Sequence, residues 1–192
     1  MPHIWSRCGR TESSIRVRIE FMLRPIVLFG DEVLEKPAET VTNISDAEVQ
    51  LVQDMVETMY NAPGVGLAAN QIGVSKRILV TDPSGGENRS ELITLVNPEI
   101  VSADGEQFED EGCLSVPGFT SAVVRPKTVI IKGFDLNGKE VTVEGKDLLA
   151  RAFCHEMDHL NGVFFLDHLS FIKRDIIKRK IRKLVKQGEW ER

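Results

Sequence analysis

Apolar residues recur along this chain in two rhythms, and each marks a different kind of element. Leu51, Val52, Met55, Val56 and Met59 fall at the three- and four-residue spacing of one helical face. Ser45 with Glu48 three residues later makes a capping box in front of them, so a helix is predicted over about 45–60. Asn61-Ala62-Pro63-Gly64 ends it, because proline and glycine do not continue a helix. Residues 78–81 and 92–97 read as strands on either side of the turn-rich stretch 82–90. Residues 123–124, 129–133 and 141–143 continue the β character, with Asn137-Gly138 as a hairpin signal. A second helix is predicted over about 147–160, closed by Asn161-Gly162. A third, over 170–187, carries Ile172, Ile176, Ile177, Ile181, Leu184 and Val185 as an apolar stripe. The strands come in hairpin-linked groups instead of alternating with helices. The expected class is therefore α+β, with antiparallel sheets around a central helix, one helix before it and one after.

Residues 1–21 follow neither rhythm. They lack the apolar stretch of a secretory signal, and Glu12 and Glu20 do not suit an organellar transit segment despite the arginines and serines around them. The expectation is a leader over 1–21, disordered or reflecting a start assigned too early, followed by one domain over 22–192, a size that holds a single core. No apolar run approaches the roughly 20 residues needed to cross a bilayer. Cys8, Cys113 and Cys154 are too few and too scattered for a disulfide framework, which points to a reducing cytoplasm where thiols are free to bind metal. The net charge of −5 hides an asymmetry: eight lysines and arginines stand against Asp175 alone in 170–187. The body is acidic and the last helix basic.

The predicted second helix carries the chemistry. Leu148, Ala152, His155 and His159 are spaced four, three and four residues apart, so they share one face, and the two histidines are expected to point inward toward the sheet. One turn apart, roughly 6 Å along the axis, they can share an ion. Glu156 lies about 100° around the helix from His155 and can approach the open side of that ion. The pattern is H-E-x-x-H, the signature of a metal-dependent hydrolase site. Two buried imidazoles and a carboxylate without partners would cost several kcal/mol, and a cation satisfies all three. A catalytic centre of this type takes a third protein ligand. The peptidase positions downstream hold none, since 160–165 contains no histidine, and Asp167 and His168 would have to fold back. Upstream, Cys113 sits in Glu111-Gly112-Cys113-Leu114-Ser115-Val116-Pro117-Gly118, on backbone that Gly112 and Pro117 constrain. Cys154 is its rival but points about 100° off the ligand face. Spacing alone leaves Cys113 open between a ligand and a buried apolar thiol.

Three segments together resemble one family, the peptide deformylases. They are Gly64-Val65-Gly66-Leu67-Ala68-Ala69-Asn70-Gln71, then Glu111-Gly112-Cys113-Leu114-Ser115, then His155-Glu156-Met157-Asp158-His159-Leu160. The similarity runs from about Met22 to the end of the basic helix. Asn70 stands where the family often has threonine, and Thr120 where some members carry an arginine that helps to bind the peptide. The resemblance implies removal of the formyl group from the formyl-methionine of newly made polypeptides, with release of formate. It implies that Cys113, His155 and His159 hold one divalent metal, Fe²⁺ in the cell, with Zn²⁺, Ni²⁺ or Co²⁺ able to replace it. Glu156 becomes the general acid and base, Gln71 and the backbone N–H of Leu114 the groups that stabilise the oxyanion, and Gly66 a backbone contact to the substrate.

The same resemblance implies that the basic helix touches the ribosome. A solvated surface helix and a membrane-surface helix are the other readings of its charge; no DNA partner and no membrane span are expected. Two other functions compete: an H-E-x-x-H zinc endopeptidase, which has no need of Cys113, and a non-catalytic module whose structural zinc is closed by a fourth protein ligand.

Overall fold

The computed structural model describes residues 21–190. The leader predicted over 1–21 therefore lies outside the described residues, apart from Phe21. Helix α1 (Asp46–Asn61) starts as predicted: Ala47 N donates to Ser45 Oγ, and Ser45 N donates to Glu48 Oε2 at 2.8 Å. Its stripe of Leu51, Val52, Met55, Val56 and Met59 is buried against Leu67, Ile78, Val80 and Val96 of the sheet.

Seven strands follow: β1 (Gly66–Ala68), β2 (Ile78–Thr81), β3 (Ile93–Asp104), β4 (Gln107–Gly112), β5 (Thr120–Arg125), β6 (Thr128–Phe134) and β7 (Glu140–Lys146). Every pairing between them is antiparallel, and they form a five-stranded sheet β1-β2-β3-β6-β7 and a two-stranded sheet β4-β5. Asn137-Gly138 lies in the β6–β7 turn, where Asp135 Oδ1 accepts from Asn137 N and Lys139 N.

Strand β3 runs well past the predicted end at 97. Pro98 has no N–H for the ladder, and the register to β6 shifts between Val96 and Glu99, which lets the strand continue beyond it. Asn97, at φ 51°, exchanges two 2.8 Å hydrogen bonds with the Val41 backbone at that point. Strands β1 and β4 carry no strong apolar alternation and were not predicted. Tertiary pairing makes them extended, β1 through β2 and β4 through β5.

Helix α2 (Leu148–Leu160) lies against β1, β2, β6 and β7. Ala150, Phe153, Cys154, Met157 and Leu160 pack on Leu79, Leu95, Val129 and Ile131. This corrects the expected orientation: the sheet takes the larger apolar stripe. The face holding Ala152, His155 and His159 turns instead toward Cys113, Glu111 and the rings of Phe164 and Phe165. Bulk decides, since Phe153, Met157 and Leu160 remove more apolar surface from water than two imidazoles do. The last carbonyls of α2 are satisfied from elsewhere in the chain. Asn70 Nδ2 donates to His159 O, while Ala38 N and Arg77 Nη1 donate to Leu160 O at 2.9 and 3.2 Å.

Helix α3 (Phe171–Gln187), capped by Ser170, uses only part of its predicted stripe. Ile181 is buried, and Ile177 and Leu184 half-buried, against the cluster containing Leu34, Val116, Phe165 and Trp190, whereas Ile172, Ile176 and Val185 stay exposed.

β7 meets α2 so closely at Gly145 that a Cβ there would lie 2.7 Å from Cε2 of the fully buried Phe153. Gly145→Ala is expected to destabilise the fold by about 1–3 kcal/mol, because the ring has nowhere to move. A thermal melt should fall by about 2–4 °C for each kcal/mol lost; an unchanged midpoint would refute this packing.

Candidate active site

The helical spacing of His155 and His159 brings their rings to 4.9 Å between centroids. Cys113 follows directly on β4, in a turn where Val116 N donates to Cys113 O at 3.0 Å. Its Sγ lies 3.1 Å from His159 Nε2. One ligand atom from each of Cys113, His155 and His159 lies within 4.8 Å of the others, the single such group among the described residues. Its thiolate and imidazole donors suit a first-row divalent cation.

Cys154, Asp167 and His168 are engaged elsewhere. Cys154 is buried in the sheet-facing core, which pushes its thiol up to about 11. Asp167 Oδ2 accepts from Phe164 N, and His168 Nε2 meets Asp158 Oδ2 at 2.7 Å.

A second layer holds the first. His155 Nδ1 lies 3.2 Å from Glu111 Oε2, which leaves Nε2 as the ring nitrogen for the ion. Glu111 is in turn clamped by Arg125, with Nε to Oε1 at 2.8 Å and Nη2 to Oε2 at 3.0 Å. Arg125 Nη1 continues to Asp158 Oδ2 at 2.7 Å, back on α2. Burial opposes the charge on Glu111, but His155 and Arg125 outweigh it and hold its carboxyl down at about 2. Burial and the neighbouring His155 drive His159 well below the ordinary histidine range, keeping it in the neutral form that binds metal. Burial also opposes a proton on His155, yet Cys113 and Glu111 raise its pKa well above the ordinary range. A cation at the three donor atoms competes directly with that proton.

Cys113 and His155 line a cavity of about 430 Å³, with His159 buried behind them, and Pro63, Gly64, Val116, Phe119, Leu148 and Ala152 form its walls. Glu156 faces it beside His155. Burial pushes its carboxyl up to about 7, and Oε2 has no hydrogen-bond partner. Gly66 lines the cavity directly against Glu156, and a Cβ at that position would overlap Glu156 Oε1. Glycine is thus required there by the carboxylate itself. Gln71 is buried in the 3₁₀ turn Ala69–Ile72 that follows β1. Its Oε1 accepts from Ala68 N at 2.8 Å, which turns Nε2 toward Ser115 Oγ at 3.4 Å and Cys113 Sγ at 3.8 Å. Leu114 lines the same cavity, with its Cδ1 beside Gly64.

The structure therefore gathers Gly66, Gln71, Cys113, Leu114, His155, Glu156 and His159 into one site. Sequence reasoning missed Arg125, Asp158 and Asn70, and assigned no role to Glu111. A signal existed for Glu111 alone: a histidine ligand needs an acceptor on its second nitrogen, and this carboxylate stands two residues before Cys113.

Most of the chain is similar to known proteins. Residues 23–175 match the polypeptide deformylase family. A peptide deformylase of Acidobacterium capsulatum is 50% identical over 169 residues, covering 88% of this chain and 99% of the relative. One from Thermodesulfovibrio yellowstonii is 49% identical over 154 residues, 80% of this chain and 93% of the relative. The crystal structure of a peptide deformylase from Legionella pneumophila superposes with a TM-score of 0.81 at 44% identity, covering 89% of this chain and all of that one. With three quarters or more of its length matched in each comparison, the chain belongs to the polypeptide deformylase family.

Proposed function

We propose that Cys113, His155 and His159 hold one divalent metal ion, and that Glu156, Gln71 and Leu114 carry out the deformylation that family membership assigns to the chain. The reaction is a hydrolysis. The N-formyl group of a newly made polypeptide is lost as formate and its amine is freed. One observation carries the assignment of residues: three donor atoms converge within 4.8 Å, two of their residues lining a cavity that is also lined by Glu156, whose Oε2 is buried without a hydrogen-bond partner.

When bound, the cation supplies Lewis acidity, making water more acidic and stabilising negative charge on the formyl oxygen. Glu156 accepts a proton from the attacking water and returns it to the amine as the C–N bond breaks; its raised pKa suits both transfers. Gln71 Nε2 and the N–H of Leu114 donate to the oxygen as it gains charge, each contributing about 3–4 kcal/mol in a dry site. Gly66 lets the substrate backbone come close to Glu156. The three-ligand set and the core position of Cys154 favour an open centre over a structural zinc closed by four ligands.

Formate release from formyl-Met-Ala tests the scheme. Glu156→Gln should abolish turnover while retaining metal. Cys113→Ala should lose both, and Glu111→Gln should weaken metal binding by about 10–100-fold. Full activity of Cys113→Ala would sink the scheme.

Fe²⁺ is the metal assigned in the cell, with Zn²⁺, Ni²⁺ or Co²⁺ as substitutes. Cys113 lines the open cavity, where an iron–thiolate pair is exposed to oxidation. Activity in air should decay faster with Fe²⁺ than with Ni²⁺; equal decay would count against a ferrous site.

A cytoplasmic location and ribosome contact through α3 complete the reading. The exposed cations of α3, among them Lys180 and Lys183, suit a phosphate-rich surface. Removing residues 173–192 should abolish salt-sensitive co-sedimentation with ribosomes, and unchanged binding would exclude α3 as the contact.

A further inference from the structure

The outer face of the β4–β5 hairpin carries an apolar surface that the fold leaves uncovered. Gly112 pairs with Thr120, Asp110 with Ala122 and Phe108 with Val124. Alternate residues of a strand share a face, so these six form one row of cross-strand pairs. The opposite face, with Glu111, Val123 and Arg125, is buried. Water is expected to meet polar side chains on the free face of such a hairpin. Here Phe108 is 63% exposed and Val124, directly across from it, 56%.

The row is continuous with the active site. Gly112 and Thr120 line its cavity, and so does Asp110 of the second pair. Ala122 of that second pair lines a neighbouring cavity of about 370 Å³, together with Phe108, Val124, Leu169 and Lys173. At about 3.4 Å per residue, Gly112 and Phe108 are about 14 Å apart, four residues of extended chain. A formyl-methionine fills only the head of a polypeptide substrate, and the rest of that chain has to leave the cavity over some surface.

We infer that this row is the track for the departing substrate chain, and that Phe108 and Val124 receive an apolar side chain about five residues from the formyl end. The inference rests on the deformylase reading. A newly made polypeptide suits the row because it is extended, it offers apolar side chains, and its head is already held where the row begins. Contacts remote from the reacting bond then raise kcat/KM through tighter capture of longer substrates.

The test uses metal-loaded wild type, Phe108→Ser and the double variant Phe108→Ser/Val124→Ser. Substrates are formyl-Met-Ala-Ser and formylated octapeptides that place a single leucine at position 4, 5 or 6 of an otherwise serine-rich tail. Wild type should prefer one leucine peptide over its all-serine counterpart by about three- to tenfold in kcat/KM, through KM. The double variant should erase that preference, the single variant reduce it, and both should process formyl-Met-Ala-Ser at the wild-type rate. No preference in wild type, or a preference kept by the double variant, would overturn the track. So would a wild-type dimer in sedimentation that the double variant dissociates, since a second copy would then own the face. Failure of wild type on formyl-Met-Ala-Ser would reject the deformylase reading itself, an outcome distinct from the others.

Discussion

Arg125 and Glu111 form a buried ion pair whose demands run through the whole site. Taking a guanidinium and a carboxylate out of water costs several kcal/mol each, and only close, complete pairing offsets it. The pairing here is two-pronged, with Arg125 Nε on one carboxylate oxygen and Nη2 on the other. Helix α2 adds His155 on the Glu111 side and Asp158 on the Arg125 side, and His168 Nε2 lies 3.3 Å from Arg125 Nη1. Two strands and a helix are thereby held in one register. A slip of β4 by one residue would turn Glu111 outward and strand Arg125 without its partner. The strand that carries Glu111 also delivers Cys113, so the ion pair sets the position of the thiol relative to both imidazoles.

Helix α2 serves two surfaces at once. Its heavier apolar stripe binds it to the five-stranded sheet through Phe153, Met157 and Leu160, and Gly145 lets β7 come close enough for that contact. Its other face is left to polar chemistry against the hairpin. The division explains how a helix whose terminal carbonyls are claimed by Asn70, Ala38 and Arg77 holds its histidines still without their own packing on the large sheet. Asn70 adds a further tie, because it joins the end of α2 to the turn that carries Gln71. The groups assigned to the metal and to the oxyanion are thus braced against one another.

Glu156 and Gly66 show how a single position can satisfy packing and chemistry together. The carboxylate is buried against the glycine, which raises its pKa to about 7 and keeps side-chain atoms out of the space between them. Beyond the cavity the hairpin surface changes from glycine and threonine to phenylalanine and valine, a gradient suited to a chain entering head first.

Local patterns were enough for the elements whose residues repeat at their own period. The α1 stripe with its capping box, strand β2, the Asn137-Gly138 turn, the α2 boundaries and the H-E-x-x-H spacing could all be read from neighbours along the chain. The three family segments identified the reaction, because each keeps its residue types in order. Pairing between distant segments was beyond such reading. Strands β1 and β4 become extended only through partners further along the chain, and β3 outlasts Pro98 only because β6 takes up the shift. Which side of α2 meets the sheet was settled by the relative bulk of two stripes, a comparison that requires the sheet to be present. Arg125 and Asp158 stay invisible in sequence for the same reason, since a buried charge is recognised by the partner that folding brings to it. Sequence determined which groups are available to react; tertiary structure decided which of them stand within reach of one another.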